Sequence, residues 1–188
     1  MKIFLSILFF LNSLIFSLSI EDIESLYLAD DIIGAQSMLE LVEDKNEQYH
    51  YLSYQIYLKL DDLNNANKSL QAAVKQNPDK YSDEGIQLGE LINDLKNVSK
   101  TLSSGFVLEA IEETEALLEK YKDNSIVHYR LGFAHKENKD YENAVLNFNK
   151  ARELNPYNSL YKDEIENIAK IEILKGKEAY DVKDYQTA

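Results

Sequence analysis

An alanine recurs along this chain at spacings that alternate between 44 and 34 residues, at positions 66, 110, 144 and 188. Self-similarity of this period is typical of a solenoid, in which each repeat buries its apolar face only by stacking on its neighbours. The first three alanines each open a stretch with residues three or four positions apart, as one face of a helix requires. These stretches are Ala66, Leu70 and Ala73; Ala110, Thr114 and Leu117; and Ala144, Phe148 and Ala151.

The two prolines keep the same spacing. Asn77-Pro78 and Asn155-Pro156 lie 78 residues apart, which is one short and one long interval. Proline has no amide hydrogen and disfavours a helical conformation in the residue before it. We therefore expect each proline to follow the end of a helix.

Residues 124–158 resemble a tetratricopeptide repeat, a helix-turn-helix unit of 34 residues. The resemblance is carried by Leu131, Gly132, Ala134, the turn Lys139-Asp140-Tyr141, Ala144, Phe148, Ala151 and Pro156. A second copy at 47–80 keeps Ala66, Leu70, Ala73 and Pro78 in that register but has Tyr54 where the family has glycine. Weaker copies are centred on Ala110 and, near the end of the sequence, on Gly176 and Ala188.

The resemblance implies an all-α, right-handed superhelical solenoid of helix-turn-helix repeats. After a signal peptide at 1–19 and an N-terminal half-repeat at 20–46, the array at 47–188 divides into units 47–80, 81–124, 125–158 and an incomplete 159–188. The longer units keep the helical apolar period through their extra residues. Their first helices are therefore expected to extend to about 20 residues, or about 30 Å.

The sequence stops at Ala188, where the second helix of a hairpin would begin. A repeat array needs a terminal helix with a polar outer face, so we interpret the sequence as a fragment of a longer protein. The alternative is a natural stop at which the last long helix serves as the cap.

The first 19 residues have the pattern of a secretory signal peptide. Lys2 precedes an apolar run from Ile3 to Phe16, and small Ser17 and Ser19 precede an expected cut before Ile20. An uncleaved membrane anchor is the alternative. The absence of cysteine excludes a lipid-anchored lipoprotein and any disulfide. We expect export to the periplasm, the cell envelope or the medium.

The formal net charge is −13. An acidic chain repels nucleic acid and anionic lipid headgroups, so we expect neither nucleic-acid binding nor direct membrane binding after signal cleavage. The acidic residues are distributed along the chain with lysines between them, which is typical of solvated helix exteriors.

Catalytic and cofactor motifs are missing from the sequence. It contains no cysteine nucleophile, glycine-rich phosphate loop, GxSxG elbow or HExxH zinc motif. His50 and His128 occupy the same repeat position and are interpreted as packing residues; His128 and His135 lack a third metal ligand. The pairs Asp30-Asp31 and Asp61-Asp62 fall at predicted turns, where aspartate is favoured for local hydrogen bonds. We expect no enzyme activity, cofactor or metal.

The resemblance implies a concave groove formed by the first helix of each hairpin, which in this family holds a peptide or a helix of a partner protein. Matched onto the two well-preserved repeats, the groove positions are Tyr51, Gln55, Leu58, Lys59, Tyr129, Arg130, Phe133 and Lys136. Aromatic residues beside cations suit a partner with apolar anchors and some acidic groups. The alternative is that these rings pack against the neighbouring hairpin.

The sequence thus predicts an exported scaffold or adaptor that binds other proteins and has no chemistry of its own. The alternative is the recognition arm of a larger exported enzyme or sensor whose functional domain follows residue 188. The two alternatives differ in what the full reading frame would encode beyond that residue.

Overall fold

The computed structural model describes the backbone of residues 18–186 and the side chains of residues 18–177. The predicted signal peptide lies outside the described residues except for Leu18 and Ser19. Within the described part, the chain forms helices joined by short turns and no strand. The helices are α1 (Ile20–Leu28), α2 (Ile32–Met38), a 3₁₀ helix (Leu39–Leu41), α3 (Glu47–Lys59), α4 (Leu63–Gln76), α5 (Pro78–Ser103), α6 (Val107–Lys120), α7 (Ser125–Glu137), α8 (Tyr141–Leu154) and α9 (Leu160–Gln186).

Each helix packs on the helices that precede and follow it, so the elements stack in chain order as a helical repeat solenoid. The first helices of alternate repeats are long, as predicted: α5 has 26 residues and α9 has 27. Both exceed the expected length. Pro78 is the first residue of α5 and therefore starts that helix directly after the end of α4, a position where its missing amide hydrogen costs nothing.

The turn inside each hairpin repeats one backbone motif. A residue with positive φ precedes the repeated alanine by five positions in four hairpins, at Asp30, Asp61, Gly105 and Lys139. The amide after this residue donates to the carbonyl five positions earlier, as from Asp62 to Tyr57 at 2.9 Å and from Asp140 to His135 at 2.9 Å. This is the Schellman ending of an α-helix, which satisfies carbonyls that the helix leaves unpaired.

The aspartate after the positive-φ residue caps the next helix. The side chains of Asp31, Asp62 and Asp140 accept hydrogen bonds from the amides of Gly34, Asn65 and Asn143, respectively. The paired acids at the turns therefore make local hydrogen bonds, one residue ending a helix and the next beginning another.

The contact inside the best-preserved hairpin depends on small residues. Gly132 and Ala144 lie where α7 crosses α8, and a Cβ built on Gly132 would lie 2.8 Å from the ring of Phe148. Phe148, Ala144 and Ala151 are fully buried. In the hairpin of α3 and α4, Tyr54 and Leu70 stand at the positions of Gly132 and Phe148. A larger residue on one helix is thus matched by a smaller one on the other.

The predicted half-repeat at the N-terminal end is a short hairpin of two helices. Ala35, Leu39 and Val42, whose spacing follows the helical apolar period of the other repeats, are buried together with Ile23 of α1 and Ile56 of α3. The side chain of Ser19 accepts from the amide of Asp22, and the Asp22 carboxylate accepts from the amide of Ser19 at 2.9 Å, which is a capping box.

The end of the described chain departs from the repeat register. Lys183, five positions before Ala188, corresponds to the positive-φ residues of the other hairpins, but α9 continues through it to Gln186. A Cβ on Gly176 would have no neighbour within 4 Å. Ala188 lies outside the described residues.

Candidate functional site

The structure does not bring the eight predicted groove residues into one groove. The four from α3, namely Tyr51, Gln55, Leu58 and Lys59, share one cavity of about 510 Å³, which we call the tyrosine cavity. Tyr129 and Arg130 line a second cavity of about 440 Å³, and Arg130 and Phe133 line a third of about 300 Å³. The remaining walls of the tyrosine cavity are formed by Tyr27, Tyr54, Asp30, Asp61, Glu84, Ser125, Leu154, Asn155, Pro156 and Tyr157.

The phenol rings of the tyrosine cavity are held in place by the surrounding helices. Tyr51 stacks on buried Tyr81 of α5, with ring centroids 4.7 Å apart and an interplanar angle of 26°. Its hydroxyl donates to Glu84 Oε1 at 3.0 Å. Burial, followed by this hydrogen bond, raises the pKa of Tyr51 to about 12. The Tyr51 ring is therefore both a wall of the cavity and part of the packing between α3 and α5.

Two further tyrosines, Tyr27 of α1 and Tyr54 of α3, line the same cavity and are half-buried. Burial raises the pKa of both phenols, and the nearby charges of Asp30 at Tyr27 and of Glu84 at Tyr54 raise it further. Both hydroxyls therefore stay neutral at physiological pH.

Residues 155–161, which we call the closing segment, follow α8, and the first three of them, Asn155, Pro156 and Tyr157, line the tyrosine cavity. Asn155 Nδ2 donates to the carbonyl of Lys59 at 2.8 Å and to Asp61 Oδ2 at 2.6 Å. The hydroxyl of Tyr157 donates to the carbonyl of Asp30 at 3.3 Å. The closing segment thus joins the turn after α8 to the turns that follow α1 and α3, and the tyrosine cavity lies between them.

Asp61 is the hub of this junction. Its carboxylate accepts hydrogen bonds from Ser125 Oγ at 2.8 Å, from Asn155 and from the hydroxyl of Tyr161. Burial raises the pKa of Asp61, although these hydrogen bonds act in the opposite direction. Burial and the charge of Asp61 also raise the pKa of Tyr161. Asp61 is half-buried, and the donors of its hydrogen bonds offset the cost of removing its carboxylate from water.

The predicted aromatic residues of α7 take part in helix packing. The Tyr129 ring centroid lies 5.6 Å from that of Phe148 and 5.4 Å from that of Tyr161 at the start of α9. Phe133 packs against the same cluster. Tyr129 and Phe133 therefore make packing contacts with the neighbouring hairpin, while each ring also lines a cavity.

The cations expected beside these rings are engaged within the protein. Lys136 Nζ lies 2.6 Å from Glu164 Oε2 of α9, and both side chains are largely buried. The guanidinium of Arg130 lies over the ring of Tyr129, at 5.8 Å from its centroid, and its Nε is buried without a hydrogen-bond partner in the described part of the chain. Lys136 is therefore not available to an acidic partner. The expected preference for a partner with acidic groups can no longer rest on this residue.

Sequence reasoning missed several residues of the tyrosine cavity. Tyr54 could have been predicted as a cavity residue. It replaces the small glycine of the family pattern, so its ring cannot fit into the close helix contact of the hairpin and must lie outside it. Asp61 was interpreted only as a turn residue. Its partner Asn155 is 94 positions away, and no local signal indicates that contact.

Two of the three histidines, His128 and His135, contact polar side chains of the protein. His128 Nδ1 lies 3.1 Å from Asn147 Oδ1, and His135 Nδ1 lies 3.1 Å from Asp140 Oδ2. Among the described side chains, no group of three histidine or acidic residues is placed to hold a metal ion. None of the described helices is long and apolar enough to cross a membrane.

Comparisons with known proteins give two matches to models of the tetratricopeptide repeat, at residues 49–80 and 125–158. A search of curated proteins gives no match. One similar solved structure is YrrB, described as a TPR protein with an unusual peptide-binding site. It is 18% identical, with 77% of this chain and 71% of that chain covered, at a TM-score of 0.38.

Two other solved structures are forms of MamA. The form from Desulfovibrio magneticus RS-1 is 16% identical, with 85% of this chain and 93% of that chain covered and a TM-score of 0.36. The form described as MamA MSR-1 C2 is 19% identical, with 71% and 92% covered and a TM-score of 0.33.

Proposed function

We propose that this chain, which belongs to the tetratricopeptide-repeat family, binds an extended segment of a partner protein in the tyrosine cavity. The repeats make the chain a protein–protein interaction scaffold. The observation that supports the location of the site is that Tyr51, Gln55, Leu58 and Lys59, which the repeat register assigns to a groove, line one open cavity. Its volume is in the range of sites that hold small ligands or side chains.

The cavity combines features of a binding site. Its aromatic walls offer apolar surface with hydroxyl groups, and Tyr and Trp side chains are common anchors of interfaces. The rings of Tyr51 and Tyr54 pack against α5, so little conformational entropy is lost when a ligand contacts them. The scaffold itself carries out no reaction in this proposal.

We also propose that the protein is exported and that cleavage precedes Ile20. The charged start and apolar run of the first 16 residues support this proposal. Intact-mass measurement of the secreted or periplasmic product should give a chain that begins at or near Ile20. A membrane-bound product that retains Met1 would instead indicate an uncleaved anchor.

The location of the site is tested with peptides selected by display on the folded protein. The variant Gln55→Ala removes one neutral polar side chain from the cavity and leaves the charges of its walls unchanged. The control Gln71→Ala removes the same residue type from the exposed side of α4. We expect the cavity variant to bind the selected peptides about tenfold more weakly and the control to bind them normally.

Circular dichroism and thermal melting should be unchanged in both variants. Equal binding by the cavity variant and the wild type would place the site on another surface. Equal loss in the cavity variant and the control would indicate that the peptides bind through general surface properties.

A further inference from the structure

We infer that the partner segment inserts a lysine or arginine side chain into the tyrosine cavity. The inference rests on the proposed function and specifies the chemistry of the partner. The sequence instead predicted a preference for acidic groups. In the structure, three carboxylates line the cavity, whereas Lys136 is paired with Glu164. The supporting observations are the carboxylates of the cavity, its phenol rings and the charge of the whole chain.

Acidic side chains outnumber basic ones around the cavity. Three carboxylates, those of Asp30, Asp61 and Glu84, line it together with a single lysine, Lys59. Asp61 is engaged by three donors of the protein. Glu84 accepts from the Tyr51 hydroxyl, and the Asp30 side chain is exposed. Neither Asp30 nor Glu84 makes an ion pair within the described residues, so their charges remain available to a ligand.

The phenol rings favour a cation at the same place. Tyrosine rings attract ammonium and guanidinium groups through their negative faces. The hydroxyl protons of Tyr51 and Tyr157 are directed at Glu84 Oε1 and at the carbonyl of Asp30. The phenol oxygens of Tyr51 and Tyr157 therefore keep lone pairs that can accept hydrogen bonds from a ligand. Lysine and arginine side chains carry only donors and suit such acceptors.

The apolar part of such a side chain also fits. Leu58, Leu154 and Pro156 line the cavity beside the rings, and the methylene groups of lysine and arginine pack on apolar surface while the charged end reaches polar atoms. A net charge of −13 over the chain adds a long-range attraction for a basic segment, which raises the association rate and weakens with salt.

The probe is a set of four pools of short labelled peptides that share the same mixture of Ala, Leu, Ser and Tyr but carry Lys, Arg, Met or Glu at a fixed central position. Binding to the folded protein is measured by fluorescence anisotropy. We expect the Lys and Arg pools to bind about tenfold more tightly than the Met and Glu pools.

The variants separate a specific contact from general charge. Asp30→Asn/Glu84→Gln neutralises the two available carboxylates, and Asp123→Asn/Glu112→Gln neutralises one aspartate and one glutamate elsewhere. Asp30 and Asp123 both lie at positive φ, at 62° and 55°, so the backbone effects are matched. We expect the cavity variant to lose most of the preference for Lys and Arg and the control to keep it.

Each result distinguishes this inference from the proposed function. If the Met or Glu pool binds most tightly, and Gln55→Ala weakens that binding, the cationic ligand is overturned and the cavity is supported as a peptide site. A preference for Lys or Arg that survives Asp30→Asn/Glu84→Gln would place the cation elsewhere and overturn the inference. Binding of no pool, together with no selected peptide that depends on the cavity, would overturn both.

Discussion

At the scale of single residues, Asp61 combines a local and a long-range role. Its φ of 56° ends α3 in the left-handed region, where Asp and Asn are tolerated better than most residues. Its carboxylate meanwhile accepts from Ser125 at the start of α7 and from Asn155 and Tyr161 of the closing segment. One residue therefore both shapes a turn and holds two distant hairpins together.

We expect Asp61→Ala to lower the free energy of unfolding by about 1 to 3 kcal/mol more than Asp123→Ala, because three donors lose their acceptor. Asp123 is an exposed residue with a similar φ of 55°, so the comparison removes the backbone cost. Asp61→Asn should lie close to the wild type, since its side chain keeps an acceptor and suits the turn. Urea unfolding followed by circular dichroism measures these differences; equal effects of the two alanine variants would mean that the hydrogen bonds contribute nothing net.

At the scale of helices, glycine has opposite effects on stability at Gly132 and at Gly89. Gly132 lies at the contact of α7 with α8, where a Cβ would meet Phe148 Cδ1 at 2.8 Å and the carbonyl of Ala144 at 3.1 Å. Gly89 lies inside α5, where a Cβ would meet nothing within 4 Å. The first glycine allows two helices to approach, whereas the second only weakens its own helix.

We therefore expect Gly132→Ala to destabilise the protein by about 1 to 3 kcal/mol through overpacking. Gly89→Ala should stabilise it by about 0.5 to 1 kcal/mol, because alanine has the higher helix propensity. The same substitution thus changes stability in opposite directions at two sites, which thermal or urea unfolding detects directly. Stabilisation by Gly132→Ala would show that Phe148 can move aside at little cost.

At the scale of the whole molecule, the closing segment ties the later hairpins to the earlier ones. Contacts between helices follow the order of the chain, whereas the hydrogen bonds of Asn155 and Tyr157 reach Lys59, Asp61 and Asp30, up to 127 positions away. These bonds join Asn155 and Tyr157 to the earlier hairpins, and both residues line the tyrosine cavity. The shape of the cavity therefore depends on how the later hairpins are placed on the earlier ones.

We expect Asn155→Ala to loosen this closure without unfolding the hairpins. Asn155 is 6% exposed and makes hydrogen bonds with three different residues. The chain has no cysteine, so cysteines introduced at exposed Ala29 and Ser159 can carry spin labels. Their distance distribution should become longer and broader in Asn155→Ala and stay unchanged in a control, Asn97→Ala, at an exposed position of α5. An unchanged distribution in Asn155→Ala would mean that packing alone holds the closing segment.

The α9 helix keeps an apolar surface on the outside of the described molecule. Ile173 and Leu174 are 70% and 59% exposed, in agreement with the regular apolar period of this segment. We expect Ile173→Lys/Leu174→Lys to lower the binding of an apolar dye and leave the melting temperature unchanged, since neither side chain is buried. A clear fall in melting temperature would show that this surface is covered in solution.

Much of this protein follows from its sequence, because the responsible interactions are local. The alanine spacing, the helical apolar period and the prolines predicted the repeats, the long α5 and α9 and the ends of the helices. The capping aspartates and the residues with positive φ act within a few positions of their partners, so a short stretch of chain contains the whole cause.

Only the tertiary structure decided which surfaces meet across the array. The separation of Asp61 from Asn155, the enclosure of the tyrosine cavity and the pairing of Lys136 with Glu164 depend on how each hairpin is rotated on the next. Small differences in that rotation accumulate along the stack. The sequence therefore predicts a groove position within one repeat. It does not predict which residues of other repeats lie beside that position, or what charge they carry.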